Sequence, residues 1–539
     1  MNLLSKTAPL EESIKKMQAV LQNVGCEVVF SEHIHPLSNC YSVNLSSKEA
    51  PRHIYSNGKG ILKEASMASA LGEYIERLQT NNFFIDFYLP KRESYPDEVL
   101  FDFWDSYLND ELLAIYDPNG ELSGEDMIDF NSDHNEKIVV LPFIQYSSNE
   151  KVYFPQNILA NLYVSNGLAT GNSAKEAKIQ ALSEIYERYA KLEIIKNGYA
   201  LPRFPDVVIQ GFEKLFSDIQ ALRDLGYIVE VLDASMGGKF PVTAISLINP
   251  KNSSLFVSFG AHPILQVSLE RTMTELMQGR TLDNLESFER PTFDMSLVES
   301  SFNLESHFVD SNGKMGFGFL SSKKSFEYAP WSYKGEGCDD EYNFLLNILE
   351  KMDKELYIRE YEYLGFYSCQ LLVPSVSEVY PMEDLIYNNK NSGKLIRDMV
   401  LNMQDYDPRE ILEMIESLDD SLHVDKYIGV IFKESFTMAE FKAQMYLLLG
   451  EHEEVMELLE YSENRVAQIL VELFKMENEG KRVEEFAEGL ENVFGKENVK
   501  KALHVRVLKE LFIDTSLHED YENMLKLYDK LEIQKKASF

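Results

Sequence analysis

An α+β body, α/β-like in its alternation and carrying internally duplicated helix–strand units, is predicted here, followed by an all-α C-terminal domain. Three observations predict it. Runs rich in β-branched and aromatic residues alternate with helical patterns as far as about residue 390. A glycine-led segment recurs at two distant places with the same closing pattern. From Asp405 the strand-like runs give way to successive amphipathic helices.

The first helix is expected over Leu10 to Val24, where Leu10, Ile14, Met17 and Leu21 fall at helical spacing and Gly25 is a natural stop. CEVVF (26–30) then reads as a strand. So do IVVLPFIQY (138–146), YIVEVLDA (227–234), VTAISLI (242–248), SLFVSFG (254–260), ELYIREYEYL (355–364) and FYSCQLLVP (366–374). Beyond them, DPREILEMIESLDD offers Asp407 as an N-cap and Pro408 at the first helical turn. FTMAEFKAQMYLLLGEHEEVMELLEY reads as a helix–turn–helix hairpin with Gly450 at the turn. Further helices run through RVAQILVELFKMENEG, VEEFAEGLENVFG, KENVKKALHVRVLKELF and YENMLKLYDKLEIQ. Helices of this length in succession are tetratricopeptide-like, although no clean consensus repeat stands out. The expected division is 1–395 for the mixed body and 396–539 for the helical domain.

Composition narrows the function. At 539 residues the chain exceeds one ordinary core, and about two to four domains are expected. Hydrophobic residues at 45% and charged residues at 26% are a globular balance. The formal net charge of −36 opposes a surface that tracks nucleic acid or an anionic membrane, since both reward basic patches. It reads as a solubility device or as a preference for a basic protein partner. Cys26, Cys40, Cys338 and Cys369 are scattered, without CxxC or zinc-ligand spacing. The N-terminus MNLLSKTAPLEESIKK shows no apolar signal core, and no apolar stretch approaches the ~20 residues of a membrane span. A cytoplasmic location is expected.

The duplication carries the chemistry. Gly60-ILKEASMASALGEYIER closes at Arg77, and Gly171-NSAKEAKIQALSEIYER closes at Arg188. Both end Ala-Leu-x-Glu-x-x-Glu-Arg at the same distance from the glycine. Glu73 and Glu76 lie three apart and face one way on a helix, as do Glu184 and Glu187. If the four carboxylates converge, each pair at ~4 Å repels by roughly 4 kcal/mol at an effective dielectric of 20. Something cationic must offset that, and magnesium bound to phosphate oxygens fits, because carboxylates are hard oxygen ligands. Arg77 and Arg188 are placed to pair with carboxylate or phosphate. On the second helix Glu176, Gln180, Glu184 and Glu187 form one stripe, with Asn172 and Ser173 at the N-cap after an expected flexible loop, Asn166-Gly167 to Gly171. The bland reading of that helix is a structural cap and a solvated stripe. A third helix is expected in Gln266-VSLERTMTELMQGR, where Arg271, Glu275 and Gln278 share a face; alone it reads as a surface ladder. His33 and His35 read as solvated loop residues rather than a metal pair, and His262-Pro263 reads as a turn.

Taken together, Ser56-NGKG, Ser69-ALGEYIER, Ser165-NGLATGN, Ala181-LSEIYER and Leu269-ERTMTELMQGR resemble the YcaO family of ATP-dependent enzymes that activate peptide backbones. The resemblance implies a nucleotide site without a P-loop, which agrees with the absence of GxxxxGK[ST] here. It implies magnesium ligation by Glu73, Glu76, Glu184 and Glu187. It further implies ATP binding by Lys6, Ser13, Arg77, Asn172, Glu176, Glu184, Glu187, Arg188, Arg271 and Glu275. No catalytic base is assigned. Azoline-forming relatives phosphorylate a peptide amide oxygen and commonly end in a proline-rich tail, whereas this chain ends LEIQKKASF. That departure favours the family's accessory-factor subgroup. The subgroup implies work beside a radical methylthiotransferase on a ribosomal small-subunit protein, and a homodimer. Three functions therefore stay open: an ATP-hydrolysing accessory factor, an enzyme that activates a backbone amide itself, and a scaffold in which nucleotide binding is only structural.

Overall fold

The strand-forming runs assemble into antiparallel sheets in the computed structural model, which describes residues 3–309, 312–508 and 510–538. In the first sheet β3 (Cys40–Ser47) is central. The strands β1 (Val28–Phe30) and β2 (Ile34–Leu37) pair with its two ends, and β4 (Tyr55–Gly60) pairs along its length. A six-stranded sheet holds β5 (Val99–Phe101), β6 (Ile138–Gln145), β7 (Lys151–Pro155), β8 (Leu168–Gly171), β12 (Tyr357–Tyr361) and β13 (Tyr367–Leu372). The third sheet runs in the order β11 (Ser254–Ala261), β10 (Val242–Asn249), β9 (Ile228–Asp233).

The helices α1 (Leu10–Val24), α2 (Lys63–Gln79), α3 (Ala174–Lys196) and α4 (Leu265–Met277) pack on these sheets. The bounds of α1 match the sequence reading, and Gly25 ends it in the left-handed region at φ 78°. A strand followed at once by its covering helix occurs three times: β4–α2, β8–α3 and β11–α4. Each helix starts three residues after Gly60, Gly171 or His262. Each also crosses its own strand at very short range. A Cβ on Gly58 would meet Ala70 N at 2.6 Å, and one on Gly260 would meet Thr272 N at 2.6 Å and Ser268 O at 2.7 Å. In the middle unit the same place is held by Ala169, with the small residues Ala177 and Ala181 buried on α3.

Closure is cyclic. Helix α2 also leans on β8 of the second unit, α3 on β11 of the third, and α4 on β3 and β4 of the first. The three helices therefore surround a common space instead of facing outward.

The chain corrects one expectation near the site. Residues 168–171, read as part of a flexible loop, form strand β8, with Ala169 opposite Cys369 of β13. Leu-Ala-Thr-Gly has little strand propensity of its own, so tertiary pairing decides it. His262 is buried and held by Ile264 N and Ser5 Oγ, which is more than a turn requires. His35 does lie exposed, on strand β2 and stacked on Tyr41, not in a loop.

Two further helices adjoin the three units: α5 (Ser301–Val309) and α6 (Cys338–Met352). Then come α7 (Pro408–Ile415), α8 (Met438–Leu449), α9 (His452–Leu458), α10 (Arg465–Asn478), α11 (Val483–Phe494), α12 (Lys496–Leu508) and α13 (Glu519–Ser538). Asp407 caps α7 by accepting from Arg409 N, and Gly450 at φ 82° turns α8 into α9. Residues on both sides of position 395 share one apolar cluster, Leu21, Tyr74 and Phe84 with Leu470, Met524 and Tyr528 among them.

The close strand–helix crossing gives a stability test. Gly58→Val is expected to cost at least about 3 kcal/mol by overpacking, read as a lower urea midpoint. Gly489→Ala in α11, where nothing lies within 4 Å, should be neutral or stabilising by about 1 kcal/mol.

Candidate nucleotide and magnesium site

The three helices enclose a cavity of about 1220 Å³. All twelve residues proposed for ATP or magnesium line it: Lys6, Ser13, Glu73, Glu76, Arg77, Asn172, Glu176, Glu184, Glu187, Arg188, Arg271 and Glu275. They come from the N-terminal segment and from all three strand–helix units.

Helix α2 presents Glu73, Glu76 and Arg77. The guanidinium of Arg77 lies 3.5 Å from Glu73 and 3.6 Å from Glu76, and its Nη1 donates to Asn82 Oδ1 at 2.9 Å. Burial pushes the Glu76 carboxyl up to about 8, with Glu184 and Glu73 adding to the rise against Arg77 and Arg188. Glu184 on a different helix thus shares the electrostatic neighbourhood of the first acidic pair, which is the convergence the duplication suggested.

Helix α3 starts at the Ser173 cap, whose hydroxyl accepts from Glu176 N. Burial raises the Glu176 carboxyl, but Lys6 at 3.2 Å, Thr7 N at 3.0 Å and Asn172 outweigh it and hold the group below the usual range. Ser13 donates to Asn172 Oδ1 at 2.9 Å, so α1 is tied to the same corner. Two turns further on, Glu184 pairs with Arg188 at 2.8 Å, and Glu187 accepts from Ala261 N at 3.1 Å. The Arg188 guanidinium stacks over Phe308 at 4.4 Å, and its buried Nη1 has no hydrogen-bond partner.

Helix α4 is not the surface ladder it resembles in isolation. Arg271 donates to Ala261 O at 3.1 Å, and Glu275 pairs with Lys59 of β4. In the third unit Glu275 holds the place of Glu73 and Glu184, while the neutral Gln278 stands where Glu76 and Glu187 stand. Lys59 is the main residue the sequence reading missed. Burial lowers its ammonium, Arg271 adds to the fall, and Glu187, Glu184 and Glu73 oppose it, so it feels carboxylates from two helices besides its partner. Its signal in the sequence was a lysine between two glycines at a strand end. Lys191 was missed as well: burial lowers it to about 8, and its Nζ donates to His307 O at 2.6 Å. Extending the α3 stripe by one turn finds it.

Among the described residues, no three His, Cys, Asp or Glu side chains are drawn together as a ready metal cage. The carboxylates are held instead by Arg77, Arg188, Lys59 and a backbone amide. The donor set nevertheless fits magnesium and a polyphosphate. Glu73, Glu76, Glu184 and Glu187 supply hard oxygens, and a buried carboxyl raised to about 8 is one that a divalent cation would hold ionised. The unpartnered Arg188 nitrogen, with Arg77, Arg271 and Lys59, supplies donors for phosphate.

Known proteins share this arrangement of sequence. A family model described as YcaO cyclodehydratase, ATP- and Mg2+-binding, matches residues 57–377. An uncharacterized protein of Haemophilus influenzae is 36% identical, covering 93% of this chain and 91% of its own length. The ribosomal protein S12 methylthiotransferase accessory factor YcaO of Escherichia coli is 35% identical, covering 99% of this chain and 98% of its own. Solved structures with likeness include YcaO from Methanopyrus kandleri bound with AMPPCP and Mg2+, at 15% identity and TM-score 0.44 over 71% of this chain and 94% of that one. A heterocyclase in complex with substrate and cofactor is similar at 18% identity and TM-score 0.49, over 70% and 54%.

Glu187→Gln keeps the shape of the side chain and an acceptor for Ala261 N. It is expected to leave the fold intact and to weaken magnesium-dependent ATP binding by at least about 30-fold, roughly 2 kcal/mol for a lost charged contact. Titration calorimetry checks it; an affinity equal to wild type would remove Glu187 from the site.

Proposed function

The chain belongs to the YcaO family, and on that premise we propose that it binds ATP with magnesium between α2, α3 and α4 and hydrolyses it as an accessory factor. Its proposed task is to assist a methylthiotransferase acting on a ribosomal small-subunit protein. The observation that carries the nucleotide reading is the meeting of Glu73, Glu76, Glu184 and Glu187, from two helices far apart in sequence, on one cavity with Arg77, Arg188 and Arg271. The match to the Escherichia coli accessory factor over nearly the whole of both chains supports the choice of task.

In this reading Glu73, Glu76, Glu184 and Glu187 would hold magnesium, which would neutralise phosphate charge. Lys6, Ser13, Asn172 and Glu176, at another corner of the cavity, would orient the nucleotide through hydrogen bonds. Arg77, Arg188 and Arg271 would supply positive charge to the phosphates, the electrostatic work that phosphoryl transfer requires. The acidic exterior, at a net charge of −36, suits a basic partner, and the tetratricopeptide-like region after residue 396 is the proposed docking unit. A homodimer in the cytoplasm is the proposed state. Among the described residues no helix is long and apolar enough to cross a membrane.

The family model's description as a cyclodehydratase favours one second reading, direct activation of a backbone amide by this chain. Phosphate release from ATP by the purified protein is expected to need magnesium and to fall at least about tenfold in Glu187→Gln. No release above background would leave only a scaffold role. Mass spectrometry of a co-expressed ribosomal substrate decides between the two active readings: sulfur gained only when the methylthiotransferase is present supports the accessory role, whereas water lost without it supports amide activation.

A further inference from the structure

The last helix of the chain reaches back to the end of the helix that carries Glu73, Glu76 and Arg77. Lys535, in the final turn of α13, is fully buried. Its ammonium donates to Asn81 Oδ1 at 2.6 Å and to Ser94 O at 2.7 Å. It also lies 4.4 Å from the ring centre of Tyr95 and 4.6 Å from that of Tyr528, with Tyr363 at 5.8 Å. Among the described residues no carboxylate pairs with it. Burial lowers its basicity well below the ordinary lysine value, against Glu532 and Glu98. A cation kept in such a place needs strong compensation, and here aromatic faces and oxygen dipoles provide it.

The box is built on the C-terminal end of α2. Two of its tyrosines serve the last, buried carbonyls there: Tyr95 Oη donates to Gln79 O at 2.7 Å and Tyr363 Oη to Leu78 O at 3.0 Å. Asn81, held in the left-handed region at φ 59°, follows the helix and turns its side chain to Lys535. The next residue, Asn82, accepts from Arg77 and donates to Val164 O at 3.0 Å. A positive group at a helix C-terminus is favourable, because the last carbonyls carry partial negative charge. A continuous chain of contacts thus runs from Lys535 through Asn81 and Asn82 to Arg77 and its two glutamates.

We propose that Lys535 is a positioning residue: the C-terminal helix inserts it as a latch that fixes the last turn of α2 and so sets the placement of Glu73, Glu76 and Arg77 in the magnesium–nucleotide site. The latch couples the helical region to the site, so a partner that pulled on α13 would reach the phosphates through it. Its functional half rests on the magnesium–ATP reading above; its structural half does not.

Two variants test it. Lys535→Met keeps the length and suits the aromatic box, while Asn81→Gly keeps the left-handed backbone and removes the acceptor together with the amide that donates to Ser94 O and Tyr528 Oη. Hydrogen exchange without nucleotide is read first, at the amides of residues 77–82 and, as a reference, residues 184–190 of α3. The latch requires exchange to rise about tenfold or more at 77–82 in both variants, with the reference unchanged. Magnesium titration of ATP binding is read second. Half-saturation should rise about five- to tenfold, with a smaller change in ATP affinity at saturating magnesium, because only the metal-bearing turn has loosened. Unaltered exchange at 77–82 overturns the latch. So does altered exchange with an unaltered magnesium requirement, which would make Lys535 a packing residue only. If wild-type protein binds no magnesium–ATP, the functional reading fails, and the exchange result alone still decides whether Lys535 fixes this turn.

Discussion

Carboxylates from separate helices are held here around one cavity, and the rest of the site follows from that repulsion. Left uncompensated, each close pair would cost several kcal/mol in a partly desolvated space. The protein answers with cations: Arg77 beside Glu73 and Glu76 and Arg188 beside Glu184 on the same helices, and Lys59 of β4 beside Glu275 of α4. Burial still keeps the Glu76 carboxyl raised to about 8 despite Arg77 and Arg188. Such a carboxyl lining a roomy cavity suits a divalent cation with a polyphosphate.

Bringing three helices so close requires small residues beneath them. Gly58 and Gly260 let α2 and α4 cross their strands where any Cβ would strike backbone, and Ala169 with Ala177 and Ala181 does the same under α3. The three units are not equivalent in chemistry. The first two keep both glutamates and the arginine. In the third, Gln278 and Gly279 replace the second glutamate and the arginine, and the remaining acid, Glu275, is spent on Lys59. Three-fold packing therefore frames a site whose charges are two-fold.

Much of this was legible in the sequence. The matched glycines and closing Ala-Leu-x-Glu-x-x-Glu-Arg patterns announced two equivalent helices, and the α3 stripe from Glu176 to Glu187 does face the cavity. Local signals also located α1, the Asp407 cap and the Gly450 turn, because caps and left-handed stops are written in neighbouring residues. The third unit was visible only as a helix, since its chemical signature is changed at Gln278 and His262 stands where the other two units have their glycine. Strand β8 and Lys59 were hidden for another reason. Leu168–Gly171 becomes a strand by pairing with β13, about two hundred residues away, and Lys59 matters through Glu275, a similar distance off. Contacts at such separation leave no periodicity to read. Lys535 is the extreme case, meeting Asn81 across nearly the whole chain.

A strongly acidic protein that takes up a triphosphate presents an apparent conflict, since a net charge of −36 repels the ligand at long range. Distance resolves it. At physiological ionic strength exposed charges are screened beyond about 8 Å, so the outer carboxylates fade before they reach the cavity floor. Inside, screening is weak and near neighbours dominate. There Lys59, Lys191, Arg77, Arg188 and Arg271 stand with the glutamates, and magnesium held by those glutamates, as proposed, would turn the local balance further toward phosphate. On the proposed reading the exterior and the interior would serve different ligands, the acidic surface favouring a basic macromolecule over nucleic acid and the cations that line the cavity favouring the nucleotide. On that reading a basic partner docked on the outside would not compete for the charges proposed to hold ATP, and coupling between the two would travel through packed contacts.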